Sequence, residues 1–140
     1  MMITQNIQQS LSKAELNQLS IIQYFRTFNQ GEFAKTAQLF VEEGRLLAPF
    51  ENPIIGREQI IAYLDQEAKG MELFPERGYI LKSDSQNTEL KVVGKARTPL
   101  FTVNIGWNFE LNQRQEILSV TISLLASLQE LLNLKKVKQP

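Results

Sequence analysis

From Phe101 onward every second residue is apolar. Phe101, Val103, Ile105, Trp107, Phe109 and Leu111 alternate with Thr102, Asn104, Gly106, Asn108 and Glu110. Successive side chains of a strand point to opposite faces, whereas a helix would scatter these six residues round its circumference. The stretch therefore predicts a strand over 100–112 with one oily face. The same period places Leu90, Val92, Gly94, Ala96 and Thr98 on one side of "TELKVVGKART" and Lys91, Lys95 and Arg97 on the other. It extends to strands near 71–82, 88–98 and 115–125, with "SDSQN" (83–87) and "NQRQ" (112–115) as hairpin turns. A chain with this half must build a sheet with one covered face.

The first half supplies the cover. Ile21, Phe25 and Phe28 recur at helical spacing within a helix over about 14–29 that Gly31 stops. Phe33, Ala37 and Phe40 repeat the spacing in a second short helix, which Gly44 is expected to end. "RLLAPFENPIIG" reads as a short strand and a proline-containing loop, and Arg57 to Lys69 as a third helix with Ile60, Ile61 and Leu64 on its apolar side. The expected fold is α+β: three N-terminal helices on one face of a curved, mostly antiparallel sheet, rolled into a cone with an open end. Residues 1–13, Gln-rich at the start, are expected to be a flexible arm, 14–126 the cone domain and 127–140 a helical tail. In that tail "SLQE" has capping-box form, and Leu128, Leu131, Leu132 and Leu134 give it an oily side, so a detachable lid is expected.

The 140 residues suit one domain. Fifteen basic residues balance fifteen acidic ones, so no global positive field points to nucleic acid. With no cysteine and no histidine, thiolate chemistry, the usual metal ligand and the usual neutral-pH base are excluded. No signal peptide or membrane-length apolar run is visible, and a soluble, cytoplasmic protein is expected.

Gly94 and Ala96 are small where a core prefers bulk. Either a helix packs closely on Gly94, or the volume is a pocket lined by Phe101, Val103, Ile105, Phe109, Ile122 and Leu124. Trp107, the single tryptophan, sits on the oily face with an indole N–H that needs a partner when buried. Tyr24 borders the buried stripe of the first helix. On spacing alone both read first as satisfied core residues, with pocket donors as the alternative. A catalytic reading lacks a base, because no carboxylate or lysine falls on the inward face of strand 100–112. Glu67 and Asp65 are the nearest carboxylates and fit a solvated helix face. No phosphate loop, nucleophile elbow or metal-ligand cluster is present. These residues favour a binder over an enzyme.

The segments "LLAPFENPIIGREQIIAYLDQEAKGMELFPERG", "KVVGKARTPLFTVNIGWNFELN" and "ISLLASLQELLNL" resemble the C-terminal domain of the cyanobacterial orange carotenoid protein family, especially its free-standing homologues. The resemblance covers roughly 18–134. It implies the nuclear-transport-factor-2-like (SnoaL-like) cone fold and a ketocarotenoid ligand of the canthaxanthin or echinenone type. In the family the ligand's carbonyl accepts hydrogen bonds from a tyrosine on the first helix and a tryptophan on a central strand. Those positions match Tyr24 and Trp107. The implied carotenoid site is then Tyr24, Trp107, Leu100, Phe101, Val103, Ile105, Phe109, Ile122 and Leu124.

Several positions depart from the family pattern. Leu100 stands where tryptophan is common, Leu128 replaces a proline, and the cysteine that links some homologues is absent. Glu67 matches an acid that pairs with an arginine of the family's helical domain. Sequence resembling that helical domain is not present in these residues, so a carrier is expected rather than a complete light-driven switch. It would form a homodimer when pigment-bound, deliver pigment to a helical carotenoid protein and make transient membrane contact, with singlet-oxygen quenching as a by-product. The alternative is a SnoaL-like isomerase or cyclase acting on a polyketide- or steroid-like substrate.

Overall fold

The computed structural model describes residues 20–125. The expected arm at 1–13, the start of the first helix and the tail at 127–140 lie outside them. Helix α1 spans 20–29, and Ile21, Tyr24, Phe25 and Phe28 are buried along it at the expected spacing. Its end is a Schellman motif: Glu32 N–H donates to Thr27 O and Gly31 N–H to Phe28 O, with Gly31 at φ 73°. Helix α2 (Phe33–Gln38) follows at once, and the Thr27 and Thr36 hydroxyls, 2.7 Å apart and buried, bond the two helices together.

The chain then enters the sheet earlier than its spacing suggested. Phe40 continues no helix and Gly44 ends none, because β1 runs from Phe40 to Leu47. A Cβ on Gly44 would lie 2.7 Å from the Phe40 Cβ and 3.0 Å from the Val41 carbonyl oxygen, so glycine is needed where the strand bulges between Phe40 and Arg45. The Phe40 carbonyl is taken up by the Arg57 guanidinium, whose Nε and Nη2 donate to it at 3.0 and 2.8 Å. A two-residue strand β2 (Ile54–Ile55) pairs with β1 before α3 (Arg57–Glu67) begins.

Strands β3 (Glu72–Ser83), β4 (Thr88–Arg97), β5 (Thr102–Leu111) and β6 (Ile117–Leu125) fall close to the expected positions, with alternating burial clearest in β4 and β5, while β3 is exposed along most of its length. The sheet order is β2-β1-β6-β5-β4-β3. Only the β1–β6 pair is parallel, and register shifts in β1, β3 and between β5 and β6 curve the sheet. The helices lie on its oily face. Phe25 meets Trp107 edge-on at 4.8 Å between ring centroids, and Tyr24 meets Phe109 at 5.2 Å.

Gly94 is filled, though not by a helix. A Cβ there would lie 2.9 Å from Pro75 Cα and 3.0 Å from Glu76 N. The bulge of β3 between Pro75 and Arg77 presses its backbone onto β4 at this point. Among the described residues no helix is long and apolar enough to cross a membrane.

Candidate functional site

The open end of the cone holds a cavity of about 310 Å³. Tyr24 and Phe28 of α1 form one side, Tyr63, Leu64 and Glu67 of α3 with the following Ala68 another, and the inward residues of β4, β5 and β6 the floor. Sheet register explains the floor. Trp107 is opposite Val92 on β4 and Ile122 on β6, while Ile105 is opposite Gly94 and Leu124, and Val103 is opposite Ala96. The wall is almost wholly apolar. Its one charged side chain, Glu67, is exposed at the edge.

Two polar atoms in this wall stand out. Tyr24 and Trp107 are each 1% exposed, yet among the described residues neither the Tyr24 hydroxyl nor the Trp107 indole N–H has a hydrogen-bond partner. Both residues line the cavity and neither donor is spent within the protein, so an acceptor that enters the cavity can take both. Burial, reinforced by the neighbouring Tyr63, pushes the Tyr24 hydroxyl far above the ordinary tyrosine range. It is a donor and not a base. The edge-on rings of Phe25 on Trp107, and of Phe25 and Phe109 on Tyr24, fix the orientation of both.

The sequence-predicted residues divide. Tyr24, Phe101, Val103, Ile105, Trp107, Ile122 and Leu124 line the cavity together. Leu100 does not: it is 88% exposed in the turn before β5. Phe109 does not either, because Tyr24 and Phe25 cover it completely. Tyr63, Met71 and Leu73 join the wall without having been expected there, and Glu67, exposed as its helix face suggests, also borders the cavity. The signal for Tyr63 and Glu67 was their i,i+4 spacing beside the buried Ile60–Leu64 stripe. Among the described residues no cluster of acidic side chains could hold a metal ion.

A larger open groove of about 670 Å³ runs between α1 and β3–β4, past Ile22, Tyr79 and Ile80. Glu76 and Arg77 border it, and no orphaned buried donor faces it, so the smaller cavity is the better candidate.

No family model matches the chain. Over 119 residues, 82% of the chain, it is 39% identical to the orange carotenoid-binding protein of Limnospira maxima, of which it covers 38%. The solved orange carotenoid protein of an Anabaena (Nostoc) species, binding canthaxanthin, superposes with a TM-score of 0.74 at 39% identity, covering 81% of this chain and 38% of that one. The chain is a homologue of the orange carotenoid protein's C-terminal domain. It spans less than two-fifths of the length of these relatives. A nuclear-transport-factor-2-like protein of Cytophaga hutchinsonii, 10% identical, has a TM-score of 0.64 over 83% of this chain and 94% of that one, and shares the fold alone. The carotenoid protein relatives and this wider group agree on the architecture: helices packed on an open, curved sheet.

Proposed function

We propose that this chain is a carotenoid carrier. It holds a ketocarotenoid, of the canthaxanthin or echinenone type, by its terminal ring in the cavity and hands it on to a helical carotenoid protein. The observation that carries the reading is the pair of orphaned donors. A ketone oxygen has two lone pairs and no proton, so it satisfies Tyr24 and Trp107 at once and demands no base. Ile105, Val103 and Ile122 would pack the ring, and Phe101 and Leu124 the start of the polyene. When bound, the polyene supplies light absorption and singlet-oxygen quenching. The chain's own residues bind the ring, orient its carbonyl and exclude water from it.

The rim supports a pigment-bound homodimer. Phe50 is 96% exposed, Leu100 88%, Phe101 57% and Leu124 51%. A domain of this length has a radius of gyration of about 14 Å, so a full-length carotenoid held at one ring protrudes from it. Each exposed Å² of apolar surface costs roughly 25 cal/mol, and a second copy seated on the apolar rim covers both rim and polyene. The same rim suits transient contact with a membrane surface, and Glu67 at the edge offers a carboxylate to a cationic group of the accepting protein.

Purification from a carotenoid-producing host and a visible spectrum test the reading. A coloured protein is expected, with light scattering giving twice the chain mass. A colourless protein that turns over a cyclic ketone would favour the isomerase or cyclase alternative, and a coloured species of single-chain mass would remove the dimer.

A further inference from the structure

The carrier reading gives Tyr63 no role. α3 brings it to the cavity wall on the same helix face as Glu67, one turn further on. It is half-buried and packed against the core, and among the described residues its hydroxyl has no hydrogen-bond partner. Its surroundings are acidic. Burial first, then the Glu51 and Glu67 carboxylates, raise its pKa above the ordinary tyrosine range. It also lies close enough to Tyr24 for a charge on Tyr63 to be felt there.

This edge of the cavity has a chemistry unlike its floor. An indole N–H only donates. A carboxylate only accepts. Tyr63 does either, and Glu67 beside it is the one acceptor-only side chain in the wall. A ketone has no proton to give such a pair, but an alcohol has. An alcohol also accepts, so it can receive a hydrogen bond from the Tyr63 hydroxyl while donating one to Glu67.

We propose that Tyr63 and Glu67 form a second polar subsite that recognises a hydroxyl on the ligand's terminal ring, so that the cavity prefers a ring bearing a ketone and a hydroxyl together. The proposal rests on the carotenoid-binding reading above and deepens it, because it names what distinguishes one ketocarotenoid from another at this site.

The test titrates the full chain, freed of pigment, with canthaxanthin, whose rings carry a ketone alone, and with astaxanthin, whose rings carry a ketone and an adjacent hydroxyl. The readout is the ratio of the two dissociation constants, in which general damage to the fold cancels. The unaltered chain is expected to favour astaxanthin by about 2- to 10-fold, the range of one net hydrogen bond. Tyr63→Phe is expected to bring the ratio close to one, and Glu67→Gln to lower it. Equal affinity of the unaltered chain for both pigments, or a ratio unmoved by Tyr63→Phe, overturns the subsite while leaving the carrier intact. Failure of the unaltered chain to bind either pigment overturns the carrier reading and the subsite with it.

Discussion

Asn29 and Leu73 hold each other by both faces of one amide. Asn29 Nδ2 donates to the Leu73 carbonyl at 2.9 Å, and Asn29 Oδ1 accepts from the Leu73 N–H at 2.8 Å. The end of α1 is thereby pinned to the start of β3, and Tyr24, Phe28 and Leu73 keep fixed places in the cavity wall. Asn29→Ala is expected to lower unfolding free energy by about 1–3 kcal/mol, the loss of two partly buried hydrogen bonds. Asn29→Asp is expected to do no better at neutral pH, because a carboxylate would face the Leu73 carbonyl without a proton. Urea denaturation of the three proteins measures this.

Gly94→Ala sets a methyl group against the backbone of the β3 bulge, which has no flexible side chain to move aside. A cost of about 1–3 kcal/mol is expected, as for overpacking a core. Gly31→Ala is the control. Its Cβ meets nothing within 4 Å, and only the positive φ of 73° opposes it, so about 1–2 kcal/mol is expected from backbone strain alone. Amide exchange should separate the two, with Gly94→Ala loosening β3 and β4 and Gly31→Ala loosening the end of α1.

Tyr24→Phe removes one donor and keeps the ring, and Trp107→Phe removes the other donor together with part of the indole. Donors aimed at a conjugated carbonyl stabilise the excited state, in which electron density moves to the oxygen. Both variants are expected to absorb at shorter wavelength than the parent and to release pigment sooner. Each lost bond amounts to about 0.5–1.5 kcal/mol. Two variants with the parent spectrum would detach the carbonyl from both residues.

The buried Tyr24 hydroxyl also gives an alkaline signature. Its folded pKa lies above the ordinary value, so above about pH 10 the unfolded chain loses this proton while the folded chain keeps it. Its contribution is fully present below that pH. Stability then falls as pH rises, by up to about 1.4 kcal/mol per pH unit from this group. Tyr24→Phe is expected to flatten the slope of unfolding free energy between pH 10 and 11.5, measured by denaturant titration.

Phe50 combines two costs in one residue: it is 96% exposed and has a φ of 63°, a conformation that suits glycine. Phe50→Gly is expected to leave the melting temperature of the pigment-free protein unchanged or slightly raised. In sedimentation equilibrium the pigmented dimer should dissociate more readily. A lower melting temperature with an unaltered dimer would mean that Phe50 serves its own domain.

Periodicity made β4 and β5 legible because one face of each is buried along most of its length. It was less informative about depth. Phe101, Phe109 and Leu124 share a side with Trp107, but Phe109 lies under α1 whereas Phe101 and Leu124 lie beyond the helical cover. Phe40 misled because one inward side chain satisfies both the seventh position of a helix and the first of a strand. Gly44 and Gly94 were ambiguous for a related reason. A glycine demanded by a bulge in its own strand, or in the next one, has no local sequence mark. Tyr63 and Glu67 carried only the faint mark of their spacing beside Ile60 and Leu64, on a helix whose polar and apolar sides are weakly separated.

Trp107 is the sole indole of the chain and stands in the cavity wall, stacked edge-on by Phe25. Its ultraviolet emission therefore comes from one known address. A polyene arriving there would drain that emission by energy transfer, and a colourless guest would shift its maximum by altering the polarity around the ring. Occupancy, exchange rate and competition between guests can all be followed in the unlabelled protein, with excitation at the red edge of the indole band leaving the three tyrosines dark.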